Sequence, residues 1–145
     1  MEMQQAGWGE REVSEKPLRI LIADDQPYIR RAVRALLESH QGWEVCGEAS
    51  DGREAIRKTG ELQPDIVVMD MFMPNLNGLE ATREIHHAYR DAKVLILTLH
   101  DLPDLSRAAR DAGAKGLVLK SDSNLFLIPA IEAIGNSEMY FAYKQ

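Results

Sequence analysis

The sequence predicts an α/β domain in which helices cover a parallel β-sheet. Three observations carry that prediction. Short runs of branched apolar residues alternate with longer amphipathic segments, as in a βα unit repeated along a chain. Two of the runs, LRILIAD at 18–24 and DIVVMD at 65–70, are almost unbroken in apolar residues until their acids, as strands buried on both faces require. The 145 residues, 45% hydrophobic and 28% charged, have the balance and size of one globular domain.

The elements follow in order. After the first run, Pro27 opens a segment in which Ile29, Ala32, Val33, Leu36 and Leu37 fall on one helical face and arginines on the other, and Gly42 stops it. WEVCGEA at 43–49 alternates like a more exposed strand. Helical spacing resumes over 53–62 and ends at Gln63-Pro64, because the residue before a proline disfavours the helical region. DIVVMD is the third strand. MFMPNLNG at 71–78 has the Pro, Asn and Gly that build a loop, and Leu79, Thr82, Ile85 and Tyr89 then mark a helix. VLILT at 94–98 is the fourth strand. Leu105, Ala108, Ala109 and Ala112 form a helical stripe of mostly small residues ended by Gly113, and GLVLK at 116–120 is the fifth strand. Leu127, Ile131 and Ile134 seat a last helix, so five βα units account for the chain from residue 18 onward.

Composition narrows the function classes. Seventeen basic and 23 acidic residues give a net charge of −6, which argues against a general nucleic-acid binder with its basic face. Cys46 is the single cysteine, so neither an intrachain disulfide nor a thiolate zinc cluster can form, which fits a reducing, cytoplasmic setting. No stretch approaches the roughly 18 to 20 apolar residues of a membrane span, and the polar, aperiodic residues 1–16 read as a flexible leader without the apolar centre of a secretory signal.

Polar residues gather where a buried strand has least use for them. Asp24 and Asp25 follow the first strand, Asp70 ends the third, Thr98 the fourth and Lys120 the fifth. In an open doubly wound sheet, ligands bind outside the carboxyl ends of the strands, where these five residues would converge. A single strand-terminal aspartate reads most simply as a helix cap or turn former. The joint pattern over four strand ends does not. Three close carboxylates repel unless a cation shares the site, and an all-oxygen ligand set without His or Cys at suitable spacing points to Mg²⁺. Lys120 adds a positive charge and Thr98 a hydroxyl donor for phosphoryl oxygens, so the constellation reads as a phosphoryl site.

In order and spacing, ILIADDQP, DIVVMDMFMPNLNGLEA, VLILTLH and GAKGLVLKSD resemble the receiver domain of bacterial two-component response regulators. EASDGREAI and LKSD most resemble the subfamily that usually carries a C-terminal helix-turn-helix output domain. The resemblance implies a flavodoxin-like (βα)5 fold, with a five-stranded parallel sheet in order 2-1-3-4-5 and helices on both faces. It implies a receiver domain over 17–136, with 137–145 a tail or the start of a linker. Asp70 would be the phosphoacceptor, attacking a phosphohistidine of a sensor histidine kinase or histidine phosphotransfer protein. Asp25, Asp70 and the backbone carbonyl of Phe72 would ligate Mg²⁺, Asp24 would act through a bound water, and Lys120 and Thr98 would complete the phosphoryl cradle. Such a domain catalyses only its own phosphorylation and dephosphorylation. One position departs from the pattern: the aromatic commonly found three residues before the lysine is Leu117.

Phe72 and His100 lie two residues beyond Asp70 and Thr98, where bulky side chains shade a phosphoryl group from water, so a long-lived phosphoform is expected. Other residues take structural readings. His86 and His87, about 100° apart on a helix, suit a solvated face better than a metal site. Trp43, Cys46, Met69, Met71 and Met73 read as packing, and Arg30, Arg31 and Arg34 as a solvated face, with kinase docking as an alternative.

Rival functions differ by residue. An aspartate-nucleophile phosphatase wants a second acid two residues after the nucleophile, where this chain has Phe72. A flavin carrier wants a Ser/Thr/Gly loop after the first strand, where this chain has ADDQP. A receiver-like module acting without phosphorylation usually lacks one of the acids or the lysine. Output is open between transcription control through a DNA-binding domain beyond Gln145, with no DNA contact by these residues, and a stand-alone domain that docks a partner or feeds a phosphorelay. The apolar residues Ile128, Ile131, Ile134, Met139, Tyr140 and Phe141 exceed one face of a last helix, which suggests a homodimer.

Overall fold

A computed structural model describes residues 16–100 and 102–141. The expected leader, apart from Lys16, and the last four residues of the expected tail lie outside the described residues.

The elements run β1 (Leu18–Ala23), α1 (Pro27–Glu38), β2 (Trp43–Ala49), α2 (Gly52–Leu62), β3 (Ile66–Asp70), α3 (Gly78–Ala88), β4 (Lys93–Thr98), α4 (Leu105–Asp111), β5 (Gly116–Leu119), a 3-10 turn (Lys120–Asp122), α5 (Ser123–Gly135) and β6 (Tyr140–Phe141). Local chemistry sets the boundaries. Pro27 starts α1, where its missing N–H removes no helical bond. Asp51 caps α2 by accepting from the Glu54 N–H at 2.8 Å, while the Glu54 side chain accepts from the N–H of Ser50, the residue before the cap, at 2.7 Å. Asn77 caps α3 by accepting from the Glu80 N–H at 2.9 Å.

The sheet is parallel throughout, in the order β2-β1-β3-β4-β5-β6. The first five strands therefore stand in the expected order, and the expected total of five is corrected to six among the described residues. Tyr140 pairs with Gly116 and Phe141 with Leu117, inside the stretch read as a tail. A two-residue strand has no period to read. It forms because the chain reverses at Ser137, at φ 68°, and because its two aromatic side chains pack on opposite faces of the sheet, Phe141 with one core and Tyr140 with the other. The Arg110 guanidinium on α4 lies 4.0 Å from the centre of the Phe141 ring.

Helices cover both faces, since strand residues alternate between two cores. Leu21, Val67, Met69, Ile96 and Leu117 meet Ala55 of α2, Ile85 of α3 and Ala109 of α4. Ile20, Ile22, Val68, Leu95 and Val118 meet Leu37 of α1 and Leu127 and Ile131 of α5. The apolar surplus near the C-terminus goes largely into this packing: Ile131 and Ile134 are fully buried, Tyr140 and Phe141 pack on the cores, and Met139 stays exposed. Among the described residues, no helix is long and apolar enough to cross a membrane.

Because all strands point one way, their carboxyl ends share one edge. The chain order reverses between β1 and β3, which lie side by side at the centre of the sheet and bring the residues after them together.

Candidate functional site

The site grows from those strand ends. Asp24 follows β1, Asp25 comes next, Asp70 closes β3 and Thr98 closes β4. The fifth strand ends at Leu119, one residue short of the expected Lys120, which opens the 3-10 turn because the turn formers Ser121 and Asp122 follow it. The turn carries Lys120 back over the sheet, where its Nζ lies 2.7 Å from Asp24 Oδ2 and 3.2 Å from Asp70 Oδ1. Asp24, Asp25 and Asp70 each bring a carboxylate oxygen within 4.8 Å of the others. Asp24 and Asp70 are buried and Asp25 is exposed. Thr98, fully buried, stands one residue beyond the β4 partner of Asp70 and pairs in register with Leu119, next to Lys120.

The electrostatics are unbalanced. Burial drives the Asp70 carboxyl up to about 6 and the neighbouring Asp24 charge adds to the rise, although Lys120 and the Phe72 N–H favour the ionised form. Burial also works against the Lys120 ammonium, but its bonds to Asp24 and Asp70 outweigh that and raise its pKa. One ammonium is shared by Asp24 and Asp70, and Asp25 adds a third carboxylate without a cation of its own among the described residues. This all-oxygen donor set fits a hard divalent cation of the Mg²⁺ kind, which would favour the ionised form of Asp70.

The β3–α3 loop is shaped by close backbone contacts. A Cβ on Gly78 would lie 2.1 Å from the Asp70 carbonyl oxygen, and one on Gly52 would lie 2.1 Å from that of Leu76. Asn75, at φ 68°, donates through Nδ2 to Asp51 Oδ2 at 2.9 Å and ties this loop to the start of α2. Phe72 projects outward, and its ring meets that of His100 edge-on with centroids 5.4 Å apart, so the two residues expected to shade the site form a pair across the β3–α3 and β4–α4 loops.

Arg30 and Arg34 are not simply a solvated face: both donate to Glu48 at 2.8 Å, and Arg30 also donates to the Asp24 carbonyl oxygen. The supporting roles of Arg30, Asp51 and Asn75 leave no periodic mark in the sequence. The loop glycines and asparagines signalled a turn without showing what the turn touches. His86 is half-buried, with Gly113 against its ring, whereas His87 is exposed.

A doubly wound parallel sheet with buried acids and a bridging lysine at its carboxyl edge defines the class, and comparison agrees: the response regulator receiver domain family matches residues 20–132, and the chain belongs to that family. It is 33% identical over 129 residues to the transcriptional regulatory protein DegU of Brevibacillus brevis, covering 89% of this chain and 55% of that protein. It is 42% identical over 116 residues to the transcriptional regulatory protein PdtaR of Mycobacterium tuberculosis, covering 80% of this chain and 56% of that one. The chain thus spans about half the length of these curated relatives. Among solved structures, a two-component response regulator of the LuxR family from Aurantimonas sp. SI85-9A1 superposes with a TM-score of 0.82 at 41% identity, covering 86% of this chain and 89% of that one.

Proposed function

We propose that this chain is a phosphorylation-controlled signalling switch that takes a phosphoryl group onto Asp70. The observation that supports this best is the bridge from Lys120 to Asp24 and Asp70 within a cluster of three carboxylates. Asp70, ionised near pH 7, attacks the phosphorus of a phosphohistidine on a histidine kinase or phosphotransfer protein. The new P–O bond forms as the P–N bond breaks, and the donor imidazole leaves. Bound Mg²⁺, held by Asp25, Asp70 and the Phe72 carbonyl with Asp24 behind a water, would supply charge neutralisation for the phosphoryl oxygens. Lys120 turns its ammonium from Asp70 to those oxygens, and Thr98 donates its hydroxyl to them. The acyl phosphate adds about −1.5 to −2 charge beside Thr98, and the β4–α4 loop moves toward it. The domain catalyses only its own phosphorylation and dephosphorylation.

The transcriptional naming of the relatives supports an output through a DNA-binding domain in a cytoplasmic regulator. Intact mass after incubation with Mg²⁺ and acetyl phosphate or phosphoramidate tests the phosphoacceptor reading. A gain of about 80 Da that Asp70→Ala abolishes is the expected result. No gain from these donors or from a phosphorylated histidine kinase would favour a phosphorylation-independent interaction module.

A further inference from the structure

We infer that Arg30 is a positioning residue for the acidic site: it fixes the peptide that joins Asp24 to Asp25. This rests on the phosphoacceptor reading above. Asp24 is held at four points. Its N–H donates to the Ala49 carbonyl at 3.0 Å, its Oδ1 accepts from the Gln26 N–H at 2.9 Å, its Oδ2 meets Lys120 at 2.7 Å, and its carbonyl oxygen accepts from Arg30 Nη1 at 2.6 Å. The last of these matters for Asp25. Strand pairing of β1 ends at Ala23, so the carbonyl of buried Asp24 has left the sheet ladder and relies on the guanidinium. The side chain of Asp25 has no hydrogen bond or ion pair with the described residues, so its backbone alone aims its carboxylate. Rotation of the Asp24–Asp25 peptide would swing that carboxylate away from Asp70.

The guanidinium suits the task. Its Nε donates to Glu48 Oε1 on β2 while Nη1 reaches Asp24, so one planar fork spans the β1–α1 turn and the neighbouring strand. Glu48 also takes Arg34 at 2.8 Å. Burial raises the Glu48 carboxyl, but bonds from Arg34 and Arg30 prevail and hold it below the ordinary range. The Glu48 charge offsets that of Arg30, which therefore gives the site a hydrogen bond without strongly opposing a cation. Arg31, next in sequence, is exposed.

The test is Mg²⁺ affinity by isothermal titration calorimetry on the full chain, with thermal unfolding of each metal-free variant alongside. Arg30→Gln is expected to weaken Mg²⁺ binding about ten-fold while unfolding within a few degrees of the parent, as loss of a ligand-orienting bond does. Arg30→Lys, which reaches one acceptor but lacks the fork, should recover part of the loss, and Arg31→Gln should bind like the parent. Glu48→Gln should weaken binding about three-fold, with the Arg30→Gln/Glu48→Gln pair no weaker than Arg30→Gln alone. A folded Arg30→Gln that binds within two-fold of the parent overturns the inference, as does an equal loss in Arg31→Gln. If Arg30→Gln does not fold, unchanged affinity in Glu48→Gln overturns it. A parent chain that binds no Mg²⁺ removes the phosphoacceptor reading itself, a result distinct from the others.

Discussion

Asp70 is held where its own charge is unwelcome, which gives its titration a sign. Its folded value, about 6, lies above the ordinary 3.8, so the folded chain binds this proton more tightly than the unfolded chain does. The stability it contributes is fully present below 3.8 and is lost as pH rises through about 6. Above that, the ionised carboxylate works against the fold by an amount of order 3 kcal/mol. Asp70→Asn is therefore expected to melt above the parent near pH 7.5 without divalent metal, with the gap closing near pH 5; a constant gap would show that Asp70 titrates elsewhere. Glu54 has the opposite sign. The Ser50 N–H pulls its carboxyl to about 2 against an ordinary 4.5, so its contribution is present above 4.5 and falls away as pH drops toward 2. Lys120→Met leaves Asp24 and Asp70 buried without their cation and should destabilise the metal-free chain by about 3 kcal/mol in chemical denaturation. At this scale the sequence was readable where chemistry contradicts environment, as with an acid, a hydroxyl or an ammonium at the end of an apolar run. It was unreadable at Arg30, because an arginine on a polar helix face looks the same whether it meets water or a carboxylate 18 positions away.

The connecting loops decide how that chemistry is presented. Gly78 lets the β3–α3 loop close on the backbone of the residue that would be phosphorylated, since an added Cβ would sit 2.1 Å from the Asp70 carbonyl oxygen. Backbone rather than a flexible side chain stands in the way, so Gly78→Ala should cost about 2–4 kcal/mol and displace Asp70. Gly135→Ala is the matched control, because its Cβ position meets only the Leu18 side chain, at an ordinary 3.8 Å; equal unfolding midpoints for the two would count against this view of the loop. The Phe72–His100 pair bridges the β3–α3 and β4–α4 loops, which follow Asp70 and Thr98. Phe72→Ala and His100→Ala are each expected to hasten loss of phosphate from the purified phosphoprotein, and unchanged decay in both would remove the shading role. Helices were legible from an apolar period of 3.6 and the central strands from short unbroken apolar runs. The 3-10 turn after β5 was not, since three residues are too few to show a period.

For the whole molecule, the sheet order follows from right-handed crossovers and the two-faced burial of its central strands, which the unbroken apolar runs announce. The outer edge beyond β5 followed no such rule. There β6 covers Gly116 and Leu117, the first half of β5, and among the described residues Val118 and Leu119, next to the site, have no strand partner on that side. Phe141 joins the core that contains Leu117, Leu105 and Ala109, and Arg110 caps its ring from α4. The C-terminal strand is thus bound to α4, the helix that follows the β4–α4 loop, at the end of the sheet remote from Lys120. Its removal should therefore loosen this edge and leave the phosphoacceptor chemistry in place. Phe141→Ala is expected to destabilise the chain by about 1–2 kcal/mol and Arg110→Ala by about 0.5–1 kcal/mol, with the double variant less destabilised than the sum because the ring contact is lost once. The extent of acetyl phosphate labelling, read by intact mass, should match the parent in all three. Strict additivity in denaturant unfolding would mean that Arg110 and Phe141 are neighbours without coupling. Reduced labelling in Phe141→Ala would mean that β6 supports the site and that the two ends of β5 are not independent.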